Sequence, residues 1–315
     1  MSSARDVPPA PNPFISAYES FQENTPFVTR MILSVQVVSY LVSWVVDPNY
    51  ALANIPYFVV FQFEIYRVVL SPLVNTQLIT LMFAFLSFLE LGKRLEYNLG
   101  TVAFGWFCAG VSLITNVAFL FLSLALYALS GEKKYLMSGA SGIWLILFGA
   151  IAAECIQAPA DIKRRFFFCE VPVRYYPLAL YAVFAFIGGG PSMAYAISMG
   201  VGYLYGQGNG RMDRVLRLSS SKVSEWEREN GALSSLTSRP GWVYGHAALG
   251  SEAWSQVPAQ GMVFPVRKCG KEVVRFYADI VDSICMINTG IICWSATNDI
   301  PTNWTFRRVY HYNWQ

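Results

Sequence analysis

Apolar residues along this chain fall in long runs separated by short polar breaks. Phe27 to Val46 is the first, interrupted only by Arg30, and a hydrocarbon core of ~30 Å needs about 20 such residues in a helix. It is read as the first membrane span. Asp47 to Asn75 holds aromatic and β-branched residues broken by Pro48, Pro56 and Pro72; with no run long enough to cross, it is expected at the membrane surface. Gln77 to Leu91 predicts a short second span, ended by the charges of Gly92-Lys93-Arg94-Leu95-Glu96 at an aqueous boundary. Thr101 to Ser130 predicts a third span with some tilt. After Gly131-Glu132-Lys133-Lys134, a run opening at Ser138-Gly139-Ala140-Ser141-Gly142-Ile143-Trp144 continues to Ile156 as the fourth. Pro177 to Gly188 and Ser192 to Tyr205, joined by the turn Gly188-Gly189-Gly190-Pro191, give short fifth and sixth spans that imply tilt or a thinned bilayer.

The pattern divides the chain into a polar segment, 1–26, a transmembrane domain, 27–206, and a soluble tail, 207–315. Within the tail, Arg211 to Arg228 has Val215, Leu218, Val223 and Trp226 on one side of a helical register. Gly231 to Gln260 has the Gly, Ser and Pro content of a loop. Ile284 to Trp294 is too short to span; a small packed or interfacial segment and a poorly ordered tail both fit it. Asn303-Trp304-Thr305 is a glycosylation sequon, expected to stay unmodified in a cytosolic tail.

Composition sharpens the class. With 54% hydrophobic and 14% charged residues and a positive mean hydropathy, the fold class is an all-α polytopic membrane protein. The formal net charge of +3 includes no basic block, so nucleic acid is excluded as a partner. With the N-terminus in the cytosol, Lys93, Arg94, Lys163, Arg164, Arg165, Arg174, Arg211, Arg214 and Arg217 all fall inside, and only Arg67, Lys133 and Lys134 outside. The positive-inside rule therefore puts both termini in the cytosol. The six cysteines form no CxxC pair, so neither a zinc site nor a disulfide framework is indicated, and no cofactor is expected. The N-terminus has Pro8, Pro9 and Pro11 with no apolar stretch after a basic start, so a cleaved signal peptide is not expected.

Ser141 is the one candidate nucleophile. Gly139 and Gly142 leave room for its hydroxyl to approach another backbone, but Gly, Ala and Ser are also the usual small residues of packed membrane helices, and packing is the favoured reading. Six spans with Ser141 at the start of the fourth resemble the rhomboid superfamily of intramembrane serine proteases and their inactive relatives. Tyr66-Arg67 resembles that family's Trp-Arg pair in the first loop. Leu91-Gly92-Lys93-Arg94-Leu95-Glu96 with Leu99-Gly100-Thr101 resembles the turn after its second span, and Gly139-Ala140-Ser141-Gly142 its nucleophile motif. In the sixth span Ala194, Ser198, Gly202 and Gly206 recur every four residues, giving a small-residue face for the Ser141 helix. The resemblance covers about Phe27 to Gly206 and implies a six-helix transmembrane bundle with a cytosolic C-terminal tail.

The departures bear on chemistry. Rhomboid proteases use a histidine of the sixth span as base; here the only histidines are His246 and His311, both in the tail, and the histidine position falls on Tyr195. Tyrosine, with an unperturbed pKa near ~10, is a poor general base. The family's oxyanion-stabilising positions fall on Thr80 and Ala84, and Ala84 cannot donate. No lysine lies within a span, and Glu90 and Glu154, at the helix ends remote from Ser141, are read as solvated or capping residues. Tyr66 and Arg67 suit interfacial anchoring and substrate contact equally. Ser141 is therefore expected as a packing residue at a vestigial nucleophile position, with Tyr195 pointing toward it. The resemblance implies a pseudoprotease, similar to the derlins and to rhomboid-like proteins with a ubiquitin-associated domain. Such a protein binds transmembrane clients or membrane partners in endoplasmic reticulum quality control or trafficking. The alternative is an active rhomboid endopeptidase with Ser141 as nucleophile; a small-solute transporter is weaker because no charged midplane site is evident.

Overall fold

The helices follow the apolar runs and stop where the backbone finds another partner. The computed structural model describes residue 19 and residues 21–159, 163–166, 169–187, 190, 192–208, 215–228, 231 and 233–248. Helix α1 (Phe27–Val42) ends short of Val46, because residues 43–46 continue as tight turns instead. The connection after it folds into three short helices, Pro48–Leu52, Pro56–Phe61 and Tyr66–Leu70, and a 3₁₀ turn, Ser71–Leu73. Pro48, Pro56 and Pro72 each stand in a first turn, where proline's missing N–H costs nothing.

Helix α2 (Leu78–Leu99) does not stop at Leu91. It carries Gly92 to Glu96 inside the helix and ends at Gly100, whose φ of 85° suits only glycine. Helix α3 (Thr101–Ser130) starts at once and is closed by Gly131 in the left-handed conformation. Helix α4 (Trp144–Gln157) is apolar all round and buried without a break from Trp144 to Cys155, as befits a central helix. A hairpin of β1 (Lys163–Phe166) and β2 (Cys169–Pro172) follows, antiparallel with Lys163 opposite Pro172. Then come α5 (Tyr176–Ile187) and α6 (Met193–Gly206). The core gathers around α4, where Phe88, Phe104, Phe107, Trp144, Phe148 and Tyr205 pack with it. Met31, Val38, Leu41, Leu113, Phe121 and Phe186 point outward, an apolar exterior of the kind that lipid covers.

Among the described residues α3 alone is long and apolar enough to cross a membrane by length and composition; Phe27–Val42, Trp144–Gln157 and Val173–Phe186 are apolar but shorter. The helical class agrees with the sequence.

Residues 215–248 do not simply lead away. Within the amphipathic stretch Ser220–Trp226 is helical, and its buried members among the described residues are Leu216 and Val223, while Val215 is exposed. Leu216 fills the space over Gly110, where an added Cβ would lie 2.3 Å from it. The carbonyls of Gly241 and Val243 accept the N–H groups of Phe27 and Thr101, each at 2.9 Å, and so cap the starts of α1 and α3. The readings of Arg211, Arg214, Ile284 to Trp294 and Asn303 lie outside the described residues.

Candidate functional site

Ser141 is not in a helix. It sits in the strap Ser138–Gly142 three residues before α4, and Gly142 at φ 93° sets a turn that a helix cannot contain. The strap is pinned on both sides of the serine. Ala140 and Asn54 exchange both backbone hydrogen bonds at 3.0 Å, and Gly142 N–H donates to the Ser71 carbonyl at 2.9 Å. Between these pins the Ser141 hydroxyl donates to Asn49 Oδ1 at 3.1 Å. Asn49 in turn donates from Nδ2 to Thr76 Oγ1 at 2.8 Å, and Asp47 fixes its backbone by accepting its N–H at 3.0 Å. A carboxamide oxygen orients a hydroxyl but takes no proton from it at neutral pH.

Ser141 and Tyr195 both face one cavity of about 530 Å³, together with Asn49, Asn75, Gln77 and Thr80. Tyr195, expected to point toward Ser141, lines the same cavity. The Ser141 hydroxyl is held by Asn49, and the Tyr195 ring stacks on Phe148 at 5.1 Å. Thr80 donates to Gln77 Oε1 at 2.9 Å. Ala84 is buried in the core and does not line the cavity. The cavity lies where α2 and α5 approach; both pack on α4 and, among the described residues, touch each other little.

Two other polar centres hold this end. Arg67 is buried (3% exposed): it donates to the carbonyls of Tyr50 at 2.6 Å and Ala53 at 3.2 Å, pairs with Glu64, and lies 4.7 Å over the Phe58 ring. It is an internal clamp on the first connection, not a snorkelling cation. Tyr66 is exposed, with its hydroxyl 3.4 Å from the Ala51 carbonyl. Asn54 Nδ2 and Ser71 Oγ both donate to Asn116 Oδ1, at 2.9 and 3.1 Å. Asn49, Asn54 and Asn116 belong to the site, although the sequence reading does not single them out. Asn116 had a signal, an amide in the middle of a 30-residue apolar run.

At the opposite end Glu96 is wholly buried and collects four donors: Val28 N–H at 2.9 Å, Thr29 N–H, Thr29 Oγ1 and Thr101 Oγ1 each at 2.8 Å. It caps α1 from α2, and Gly92 makes the approach possible because a Cβ there would meet Thr29 at 2.8 Å. Gly100 serves the same end, lying 3.0 Å by its virtual Cβ from Gly245. Glu154 is not solvated. It is 4% exposed and paired with Arg94 at 2.9 Å and Arg164 at 3.1 Å; Glu90 is exposed. Burial, the largest single influence, works against the Arg164 charge, but Glu154, Cys155 and Tyr176 together outweigh it and raise its pKa.

The small-residue face of α6 meets α4, with a shifted partner set. Gly202 lies against Gly149, Gly206 against Ala153 and Ile156, and Ser198 Oγ donates to the Leu145 carbonyl. Ala194 clusters with Ala140 and Leu145. Gly139 faces Ile55 and Ala53 instead, and Gly142 faces the Val74 carbonyl. The shift follows from the late start of α4, since a strap cannot present a helix face. Among the described residues no group of three His, Cys, Asp or Glu could hold a metal ion.

The profile of a eukaryotic integral membrane protein family (DUF1751) matches residues 30–207, which runs from α1 to the end of α6. Rhomboid-like protein 15 of Arabidopsis thaliana is 25% identical over 225 residues, covering 69% of this chain and 54% of that protein. The chain thus spans about half the length of the curated relative it matches.

Proposed function

Because this chain belongs to the DUF1751 family of eukaryotic integral membrane proteins and is rhomboid-like, we propose that it is a catalytically inactive relative of rhomboid proteases that binds transmembrane clients or membrane partners without cutting them. One observation carries this reading: the Ser141 hydroxyl donates to the Asn49 carboxamide, and among the described residues no histidine, lysine or carboxylate lines the cavity beside it. An unassisted serine is a weak nucleophile at neutral pH. The position that lacks an oxyanion donor, Ala84, is buried away from the cavity, and loss of one such donor costs about 10²–10³ in rate. The cavity beside the loose α2–α5 contact suits a partly unwound segment of a client helix. On this reading the chain crosses the membrane six times with both termini in the cytosol, resides in the endoplasmic reticulum or another endomembrane, and acts in quality control or trafficking of membrane proteins.

The test uses purified full-length protein. It should neither cleave a helix-destabilised transmembrane substrate nor take up a serine-directed fluorophosphonate probe, and Ser141→Ala should keep its co-purifying membrane clients. Probe uptake and cleavage that both vanish in Ser141→Ala would overturn the proposal.

A further inference from the structure

A second cavity, of about 310 Å³, opens on the outer face of α4, α5 and α6 at the end away from Ser141. Its wall is apolar and built from short side chains: Ala152, Cys155, Ala196 and Gly200, with Pro177 and Met199. The volume is at the low end of small-ligand pockets, ~300–1,000 Å³. Gly200 keeps it open, since a Cβ there would meet nothing within 4 Å. The mouth has a different chemistry. Arg174 lines it, is exposed, and makes no ion pair with a carboxylate among the described residues. The hairpin register puts the exposed Lys163 opposite Pro172, two residues before Arg174, whereas the exposed Glu170 stands opposite Arg165. Tyr175 and Tyr203, both exposed, complete the rim, and tyrosine is an interfacial residue that keeps its ring in the apolar layer and its hydroxyl wet.

An apolar slot that ends at a guanidinium with no ion pair among the described residues and at two exposed tyrosines matches an amphiphile with a negative head. We propose that this cleft binds one anionic glycerophospholipid, with an acyl chain along Ala196 and Gly200 and its phosphate on Arg174. The polarity follows from net charge: a zwitterionic head is neutral overall and sets its ammonium beside Arg174, whereas an anionic head, even one that keeps an ammonium as phosphatidylserine does, brings a surplus negative charge to it. A guanidinium and a phosphate make charge-assisted, often bidentate hydrogen bonds. The site is independent of Ser141 and of any client.

Native mass spectrometry of the detergent-solubilised full chain, titrated with dioleoylphosphatidylserine or dioleoylphosphatidylcholine, tests this. One phosphatidylserine adduct should persist at about tenfold lower lipid concentration than the phosphatidylcholine adduct. Arg174→Gln, at an exposed position, should abolish that preference while leaving the adduct itself. Gly200→Phe should remove the adduct with either lipid, and both variants should unfold at the wild-type temperature. Equal retention of the two lipids by the wild type, or a preference unchanged in Arg174→Gln, would overturn the proposal. So would a cleft that holds no lipid but crosslinks from Leu178→Cys to a polypeptide, which would assign it to a protein partner.

Discussion

Substituting Gly202 by alanine places one methyl group against a backbone that cannot rotate away. The new Cβ would lie 1.9 Å from the Gly149 carbonyl oxygen, 2.7 Å from its carbon and 2.8 Å from its Cα, where ordinary contact begins near ~3.5 Å. Helices α4 and α6 must separate, and overpacking of this kind costs about 1–3 kcal/mol. Separation also strains the bond from Ser198 Oγ to the Leu145 carbonyl, a further ~0.5–1.5 kcal/mol. Alanine's helix propensity returns at most about 1 kcal/mol, leaving a net loss of about 1–3 kcal/mol. Gly200→Ala, two residues along the same helix, meets nothing within 4 Å and should be neutral or stabilising by up to about 1 kcal/mol. Ser141→Ala removes one half-buried hydrogen bond and should cost no more than about 1 kcal/mol. Unfolding in mixed micelles by SDS titration, followed by circular dichroism, ranks the three variants. A Gly202→Ala protein as stable as Gly200→Ala would refute the close α4–α6 contact.

Glu96→Gln keeps the shape but turns an amide NH₂ toward groups that are themselves donors, so part of the set from Val28, Thr29 and Thr101 goes unmet; thermal unfolding in detergent should show a loss of about 1–3 kcal/mol. Unchanged unfolding would mean that the α1 amides have other partners. Arg67→Lys cannot span the Tyr50 and Ala53 carbonyls and Glu64 together, so limited proteolysis should cut within residues 47–75 several-fold faster, whereas Tyr66→Ala, at an exposed ring, should leave the rate near wild type.

What the sequence makes legible is set by how far apart the interacting residues are. Helix α3 is an uninterrupted apolar run between Gly100 and Gly131, and both limits match the structure, because every term that fixes them is local. The place of Ser141 is harder: Gly142 is as compatible with a helix interface as with a turn, and only its φ of 93° distinguishes the two. Glu154 marks a helix end, but its burial depends on Arg164, which arrives from a hairpin, and on Arg94 in another helix. Arg67 reads as an exposed cation until the three short helices fold round it. The docking of Gly241 and Val243 on α1 and α3 has no periodic signature, since backbone carbonyls carry no residue identity.

Each motif that gives this chain its rhomboid look has a sufficient cause in packing or capping. Gly92 and Glu96 satisfy the first amides of α1, Arg67 closes the first connection on its own carbonyls, and Gly202 admits the backbone of Gly149. None of these requirements refers to a reaction, so their presence with a serine does not argue for catalysis. They would hold the strap in place whether or not a base stood beside the serine. The cavity's polar lining is held within itself or left unmet: a serine tied to an asparagine, a threonine tied to a glutamine, and Asn75, whose buried Nδ2 has no partner among the described residues. A buried unmet donor costs roughly 1–3 kcal/mol, and a carbonyl toward which the Asn75 amide turns would relieve it. A client helix that unwinds there presents carbonyls of that kind, and the proposed binding role needs only their capture.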